Sequence, residues 1–522
     1  MKKLASFKFL VILFSSMLIM SCSNDDDDMG NFEPVDPENP TTGVNITYTL
    51  NSVAVETISG EAKFIENKDN SVTIELELIN TPSGGQHPAH IHYNSAAEGG
   101  GIALTLGVVD GTTGKSSITV SALDDGTAIN YDGLLAFNGY INVHLSADEL
   151  GTIVAQGDIG VNQLTGVSKS YDLLEKDAPG IEGTVTFYER LNGQALSVIE
   201  LMNTPENGVH PAHIHNNSSV EGGGIAFSFN PVDGTSGMSK TNIKALDDGT
   251  SFGYNDILEF DGYINVHLSA DELGTIVAQG DIGVNELTGM SKSYDLLEKD
   301  APGISGEVTF FERKSGESLA LIALENTPDG GIHPAHIHDN DVATGGGIAF
   351  TFTPVNGTTG MSYTHVAQLD NGSSFLYNDI DSFMGYINVH LSAEQLNVIV
   401  AQGNIGASKD DNSEGSTVAY EVTNSGATAY IFNGEGESSG SNPDFTLKRG
   451  MTYEFEMNTP GHPFYIKTAQ STGGGDSYSD GVTNNGAESG TITFTVPMDA
   501  PDTLYYICEF HSSMTGTFNI VD

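Results

Sequence analysis

Apolar and polar residues alternate in short runs along most of this chain, and this alternation predicts β-strands. In the run Ile141–Leu145, the apolar residues fall on one face of an extended segment and His144 falls on the other. The run Thr515–Val521 alternates in the same way and is rich in β-branched residues. Helical periodicity is scarce, and stretches such as Ser146–Leu150 are long enough only for single turns. The chain is therefore predicted to be all-β.

The strand pattern repeats with a period of 123 residues, as the equivalent positions of Tyr48, Tyr171 and Tyr294 show. A period of this length indicates whole domains in tandem, because solenoid units are only about 20–50 residues long. The predicted domains are a signal peptide (1–21), an acidic tether (22–44), three repeats (45–168, 169–291 and 292–408), a linker (409–416) and a C-terminal domain (417–522).

The first residues have the pattern of an export signal. Lys2, Lys3 and Lys8 precede an apolar run, residues 9–20, which is too short to span a bilayer as a mature helix. The run ends in Ile-Met-Ser-Cys and resembles the lipobox of bacterial lipoproteins. This resemblance implies cleavage before Cys22 and attachment to a membrane through a lipid on that cysteine.

An acidic and polar stretch follows Cys22. Asp25–Asp28 and the Pro-, Asn- and Thr-rich residues up to Gly43 cannot bury enough apolar surface to fold, so we predict a flexible tether. Acidic residues directly after the lipidated cysteine also resemble the surface-export signal of Bacteroidetes lipoproteins. That resemblance implies an exported protein at the outer membrane or cell surface, and a location facing the periplasm stays open.

The charge of the chain limits the kinds of ligand and partner that it can bind. The chain has 69 acidic and 19 basic residues and a formal charge of −50, which argues against nucleic acid and anionic lipid headgroups as ligands and favours cations. Its 62 glycines and lack of tryptophan fit turn-rich β structure.

Each repeat carries four histidines in the same arrangement. Residues i and i+2 of a strand face the same side, so His90 and His92 form a two-pronged ligand arm. Pairing with the later strand could add His144, and His87 is a further candidate ligand. The third copy keeps its equivalent of His144 although the residues just before that strand differ. The complete sets are His87, His90, His92 and His144; His210, His213, His215 and His267; and His333, His336, His338 and His390.

Metal binding is the prediction for these sets. All-imidazole sites suit copper and zinc, and the sequence leaves both metals open. The alternative is that the histidines only form hydrogen bonds within a β-sandwich. His365 belongs to no set and is given no role.

The motif His-Pro-Ala-His-Ile-His of all three repeats and the motif Asn-Val-His-Leu-Ser-Ala-Asp-Glu-Leu-Gly-Thr-Ile of the first two resemble the CHRD domain, and more distantly Cu/Zn superoxide dismutase. The resemblance implies an Ig-like or dismutase-like β-sandwich and matches His90, His92 and His144 to three copper ligands. The repeats lack counterparts of the bridging histidine, the zinc loop and the disulfide. Ile153 stands where the dismutase has its substrate-guiding arginine. The resemblance therefore implies a metal site without dismutase activity.

Four side chains of ligand type form a second pattern near the C-terminus. Cys508, His511 and Met514 have the spacing Cys-x2-His-x2-Met, and His462 lies 46 residues before the cysteine. A thiolate, two imidazoles and a thioether are the ligands of a trigonal His₂Cys copper site with a weak axial Met. Cys22 and Cys508 thus have separate predicted roles, so no disulfide is expected.

The segment from Thr417 to Asp522 resembles a cupredoxin of the amicyanin and plastocyanin group. The resemblance implies a Greek-key β-sandwich and a type 1 copper centre. Pro463 follows the first histidine where this family often has Asn, and no proline lies between Cys508 and His511. Both departures alter the hydrogen bonds near the thiolate sulfur.

These patterns together predict a lipid-anchored copper protein that exchanges single electrons with an unidentified redox partner, or that handles copper. Oxidase activity is disfavoured because Ile507 and Glu509 flank Cys508, where a multicopper oxidase has histidines that lead to a trinuclear cluster. No catalytic residue is assigned. The alternative is a surface binding or spacer protein whose repeats are interaction modules without metal.

Overall fold

The computed structural model describes residues 40–409, 417–434, 440–497 and 500–521. The predicted signal peptide, Cys22, most of the predicted tether and most of the predicted linker lie outside these ranges. The described part consists mainly of β-strands with three short helical segments, which confirms the all-β prediction. The chain divides into two compact units between Gln163 and Leu164.

The first unit contains one module, a closed eight-stranded barrel in the order β1-β2-β3-β6-β5-β4-β7-β8. Its elements are β1 (Thr41–Ser52), β2 (Ser59–Asn67), β3 (Val72–Ile79), β4 (Gln86–Tyr93), β5 (Ile102–Asp110), β6 (Lys115–Val120), α1 (Tyr131–Leu135), β7 (Asn138–His144) and β8 (Ile153–Gly160). β1 begins at Thr41, within the range predicted as tether.

Alternation along β4 and β7 separates the core of this module from its histidines. Ile91, Ile141 and Val143 are fully buried in the apolar core. His90 and His92 flank Ile91 in the sequence, and their side chains therefore lie on the opposite face of β4. β7 pairs antiparallel with β4, so that its own polar face continues the same surface.

The second unit begins with two modules of matching topology, each a ten-stranded sheet. The second module contains β9 (Leu164–Glu175), β10 (Gly183–Arg190), β11 (Ala195–Leu201), β12 (Val209–His210), β13 (Ala212–Asn216), β14 (Ile225–Ser228), β15 (Val232–Asp233), β16 (Met238–Ile243), α2 (Tyr254–Leu258), β17 (Asp261–His267) and β18 (Ile276–Gly283). The third contains β19 (Leu287–Glu298), β20 (Ser305–Arg313), β21 (Ser318–Glu325), β22 (Ile332–His333), β23 (Ala335–Asp339), β24 (Ile348–Thr351), β25 (Val355–Asn356), β26 (Met361–Val366), a 3₁₀ turn (Tyr377–Ser382), β27 (Met384–His390) and β28 (Ile399–Gly406).

Proline explains why these two sheets are not closed as the first one is. β4 and β5 of the first module pair along their whole length, with Pro88 opposite Val108. Pro231 and Pro354 replace Val108 in the other two copies. Because proline has no N–H to donate, the ladder is interrupted there and each long strand divides into two short ones.

The second and third modules are in contact. The backbone N–H of Lys314 donates to the carbonyl of Glu286 at 2.9 Å, and that of Ser315 donates to the carbonyl of Val284 at 2.9 Å. The side chain of Glu286 is also within ion-pair distance of Lys314. These two modules therefore pack against each other.

The C-terminal domain packs two sheets around an aromatic core. One sheet has the order β31-β30-β29-β33-β36-β35 and the other β32-β38-β37-β34. The strands are β29 (Thr417–Ser425), β30 (Ala429–Gly434), β31 (Gly440–Ser441), β32 (Phe445–Lys448), β33 (Thr452–Asn458), β34 (Phe464–Lys467), β35 (Val482–Thr483), β36 (Ser489–Thr495), β37 (Thr503–Cys508) and β38 (Thr515–Val521). No helix in the described ranges has the length and apolar character needed to cross a membrane.

Candidate metal centres

The sheet register of the C-terminal domain brings the predicted cysteine and the first histidine together. β34 pairs antiparallel with β37, and Phe464 lies opposite Cys508. One residue, Pro463, separates His462 from β34, and Cys508 is the last residue of β37. Both side chains therefore lie at the same edge of the sheet.

Three ligand atoms converge at this edge. The Nδ1 atoms of His462 and His511 lie 3.1 Å apart. The Sγ atom of Cys508 lies 3.4 Å from Nδ1 of His511 and 3.8 Å from Nδ1 of His462. Cys508 is a free cysteine and fully buried, whereas the two imidazoles are partly buried.

These distances fit one metal ion. Two nitrogens bound at about 2.0–2.1 Å and a sulfur bound at about 2.3 Å lie roughly 3–4 Å from one another when they surround the same ion. The observed separations of 3.1, 3.4 and 3.8 Å fall in that range. A thiolate with two imidazoles is the donor set of a trigonal copper site.

The loop from Cys508 to Met514 closes on itself and carries the fourth predicted ligand. The N–H of Cys508 donates to the carbonyl of Met514 at 3.0 Å, and the N–H of Met514 donates to that of His511 at 3.2 Å. Met514 is fully buried in the same core cluster as Cys508. In contrast to Met514, the side chain of Phe510 on the same loop is 61 % exposed.

Tyr430 holds the segment that carries His462. This role of Tyr430 was not predicted from the sequence. Its buried hydroxyl donates to the carbonyls of His462 at 2.9 Å and Pro463 at 3.1 Å. Burial and the neighbouring Cys508 raise the pKa of this phenol, so it stays protonated and remains a donor. The N–H of Glu509 also donates to the Pro463 carbonyl, at 3.0 Å. Contacts between distant strands supply these bonds, and no local sequence signal marks them.

A three-histidine cluster occurs in each of the other modules. The donor atoms of His90, His92 and His144 all lie within 4.8 Å of one another. His90 and His92 lie on β4 opposite Asn142 and Tyr140 of β7, and His144 ends β7 at a β-bulge. The equivalent clusters are His213, His215 and His267, and His336, His338 and His390.

Backbone carbonyls orient two of the three imidazoles. In the first module, Nδ1 of His92 lies 3.0 Å from the Gly100 carbonyl and Nδ1 of His144 lies 2.6 Å from the Leu150 carbonyl. A carbonyl only accepts, so each Nδ1 carries the proton and each Nε2 is left with its lone pair. Nδ1 of His90 and Nε2 of His92 are buried and make no hydrogen bond within the described part of the chain.

A glycine and a tyrosine hold the second histidine of each cluster. The ring of Tyr140 stacks on His92 with centroids 5.0 Å apart, and its hydroxyl accepts from the N–H of Gly100 at 3.2 Å. A Cβ at Gly100 would lie 2.0 Å from the Tyr93 carbonyl oxygen, so only glycine fits there. Both residues were missed by sequence reasoning. The triple glycine in all three copies was the available signal.

Burial lowers the pKa of two histidines in each cluster. Desolvation lowers the pKa of His90, and the neighbouring imidazoles lower it further, against a smaller opposite effect of Asp124. Desolvation also lowers the pKa of His144 and outweighs the opposite effect of the Leu150 carbonyl. Neutral imidazoles have the lone pairs that a metal ion requires. The same direction holds for His213, His267, His336 and His390.

The structure does not bring His87 into the cluster. Its Nδ1 contacts the His144 carbonyl at 3.2 Å, and its Nε2 lies against Gly85, where a Cβ would come within 2.7 Å of it. His87 therefore supports the backbone of a cluster histidine. His210 and His333 make the same contact in their modules.

Comparisons with known proteins do not assign a function to this chain. No protein-family model and no curated protein matches the chain. A solved structure of rusticyanin, described as a copper protein, is 17 % identical, covers 20 % of this chain and 79 % of its own, and has a TM-score of 0.16. A structure of rusticyanin from Thiobacillus ferrooxidans is 18 % identical, covers 20 % of this chain and 79 % of its own, and has a TM-score of 0.15. The BSP domain of a biofilm associated protein is 12 % identical over 96 % of this chain and 99 % of its own, with a TM-score of 0.13. Similarities at these TM-scores carry no argument about function.

Proposed function

We propose that this chain is a copper-binding protein whose C-terminal domain holds a type 1 copper ion and passes single electrons. The proposal rests on the convergence of Cys508 Sγ with the Nδ1 atoms of His462 and His511 at 3.1–3.8 Å. Met514, buried in the same core cluster as Cys508, would be the fourth ligand.

Bound copper would supply a one-electron couple, and the protein's part is to hold the ligands still. The donor atoms already lie together, so little rearrangement is needed when the oxidation state changes. Tyr430 and the bond from Glu509 to Pro463 fix the two loops relative to each other. The surrounding core is closely packed with Phe and Tyr rings and excludes water from the thiolate.

We further propose that each three-histidine cluster binds copper or zinc. In the first two modules, backbone carbonyls accept from Nδ1 of two of the three imidazoles and leave each Nε2 with its lone pair, which suits either metal. Nitrogens bound to one ion at about 2.0–2.1 Å lie at most roughly 4 Å apart, so the donor atoms, which lie within 4.8 Å of one another, need only small side-chain rotations. Three such modules and a type 1 site in one chain would make metal handling a second part of the proposed function.

We also propose, from the sequence, that the protein is exported and anchored to a membrane. The basic and apolar N-terminus and the lipobox-like residues support export and lipidation at Cys22. In this view the lipid is the contact with the membrane, and the electron partner is an unidentified redox protein.

Metal analysis and visible spectroscopy of the chain from Ser23 to Asp522 test the function. We expect about four metal ions per chain and, with Cu(II), an intense thiolate-to-copper band. Cys508→Ala should abolish the band, whereas Phe510→Ala, on the same loop but exposed, should keep it. About one copper per chain would favour repeats that act as spacers. A copper-loaded, oxidised chain without the band would contradict the type 1 site.

A further inference from the structure

An arginine of the third module is buried against the second module. The side chain of Arg313 is fully buried, and its Nη1 donates to Oδ2 of Asp281 at 2.8 Å and to the carbonyl of Asn285 at 2.8 Å. The other oxygen of this carboxylate, Oδ1, accepts from the N–H of Ser219 at 2.8 Å. Asp281 therefore links the neighbouring module to the loop that contains Ser219, residues 217–224, which we call the clasp loop.

A histidine of the third module reaches the same loop at a second point. Nδ1 of His365 lies 3.5 Å from Oε2 of Glu221. That oxygen also accepts from the N–H and the hydroxyl of Ser218, at 3.1 and 2.6 Å. His365, which had no role in the sequence analysis, thus lies at the contact between two modules.

The clasp loop holds a metal-site histidine. The carbonyl of Gly223 lies 3.0 Å from Nδ1 of His215, and the N–H of Gly223 donates to the hydroxyl of Tyr263 at 3.3 Å. Tyr263 in turn stacks on the His215 ring with centroids 4.9 Å apart. A shift of the clasp loop would therefore move or rotate one of the three ligands in the second module.

The three copies provide an internal comparison. The third copy, which no further copy follows, has Asn404 and Thr344 at the positions of Asp281 and Glu221. Oδ1 of Asn404 still accepts from the N–H of Val342 at 2.8 Å, so the bond within the module is kept. The side chain of Asn404 has an uncharged NH₂ group where Asp281 has the anionic oxygen that faces Arg313. The first of the three copies has Asn67 at the position of Arg313.

We propose that the third module positions the metal site of the second module. Arg313 holds Asp281, Asp281 holds the clasp loop, and the clasp loop fixes His215, so that the cluster His213, His215 and His267 binds metal more tightly than it would without its neighbour. Arg313 is a positioning residue and contacts no metal. The inference rests on the proposed metal binding of the repeats.

Zinc titration of the second site alone tests this. The chain from Ser23 to Asp522 would carry His92→Ala, His338→Ala and Cys508→Ala, which leave only the second cluster intact. Adding Arg313→Met should then weaken zinc binding about tenfold, the lower end of the usual loss when a residue that orients a ligand is removed. The matched control is Lys314→Met, because Lys314 lies at the same contact but its side chain pairs with Glu286 and not with the clasp loop.

Two further measurements separate folding and function. In a background that keeps only the third cluster, Arg313→Met should leave zinc affinity unchanged, which shows that the third module still folds. In the metal-free chain, the amides of Ser219 and Gly223 should exchange hydrogen faster in Arg313→Met than in the parent.

The outcomes can be told apart. If the second cluster of the parent binds no zinc, the proposed metal function fails there, and faster exchange at the clasp loop would still support positioning by the third module. Unchanged zinc affinity in Arg313→Met, or unchanged exchange at these amides, would overturn the inference.

Discussion

Replacing Asp281 by asparagine is expected to loosen the contact between the second and third modules. Asparagine keeps an oxygen that can accept from Ser219, as Asn404 does from its own loop in the third copy. It removes the negative charge that faces the buried guanidinium of Arg313. The substitution therefore changes the ion pair and leaves the bond within the second module in place.

The expected cost follows from the burial of the pair. Removing one partner of a buried ion pair usually costs about 3–5 kcal/mol. Asp281 retains 17 % exposure of its side chain, and Arg313 keeps its bond to the Asn285 carbonyl, so both water and protein compensate in part. We therefore expect a loss of about 2–4 kcal/mol. Arg313→Met in the same chain should make Asp281→Asn nearly silent, because no buried charge is then left unpaired.

Native-state hydrogen exchange is the suitable assay, because a chain of several domains has no single free energy of unfolding. The amides of Lys314 and Ser315 donate across the contact and report its opening. The control is Glu77→Gln, which breaks an exposed ion pair with Lys115 in the first module and should leave these amides unchanged. A change below about 0.5 kcal/mol at both amides in Asp281→Asn would refute this account of the contact.

Three further predictions concern the sites themselves. Gly223→Ala should abolish zinc binding at the second cluster, because its Cβ would lie 2.0 Å from the Asn216 carbonyl oxygen, whereas Gly224→Ala has open space and should bind normally in the same titration. Tyr430→Phe should lower the stability of the C-terminal domain by about 1 kcal/mol in hydrogen exchange, since both acceptor carbonyls keep other donors; a loss above about 3 kcal/mol would mean that they do not. The metal-free modules should lose stability as the pH falls below about 6.5, because six cluster histidines have folded-state pKa values below that ordinary value and the unfolded chain then binds more protons. Chemical denaturation at a series of pH values would show this, and stability that is constant or rises between pH 7 and 5 would contradict it.

Strand periodicity explains which parts could be predicted from sequence. Because side chains alternate along a strand, His90 and His92 had to share a face, and the structure brings them together with His144. The spacing of Cys508 and His511 likewise reflects one short loop after a strand. These are local relations, and local relations can be read from residue order.

The supporting contacts depend on distances that residue order does not encode. Tyr430 contacts His462 across 32 positions, and His365 meets a loop of the preceding module. Residue order also suggested His87 as a further ligand, but its ring turns toward Gly85 and the His144 backbone. Which partner such a side chain finds is decided by how strands and modules pack.

Charge bears on what the metal sites can do. With a formal charge of −50, the chain attracts cations and repels anions, although salt limits the effect to roughly 8–10 Å. Such a field favours the proposed capture of metal cations at the histidine clusters. Approach of a small anion is disfavoured by the same field. The electrostatics thus suit the proposed capture of metal cations better than any reaction whose substrate is a small anion.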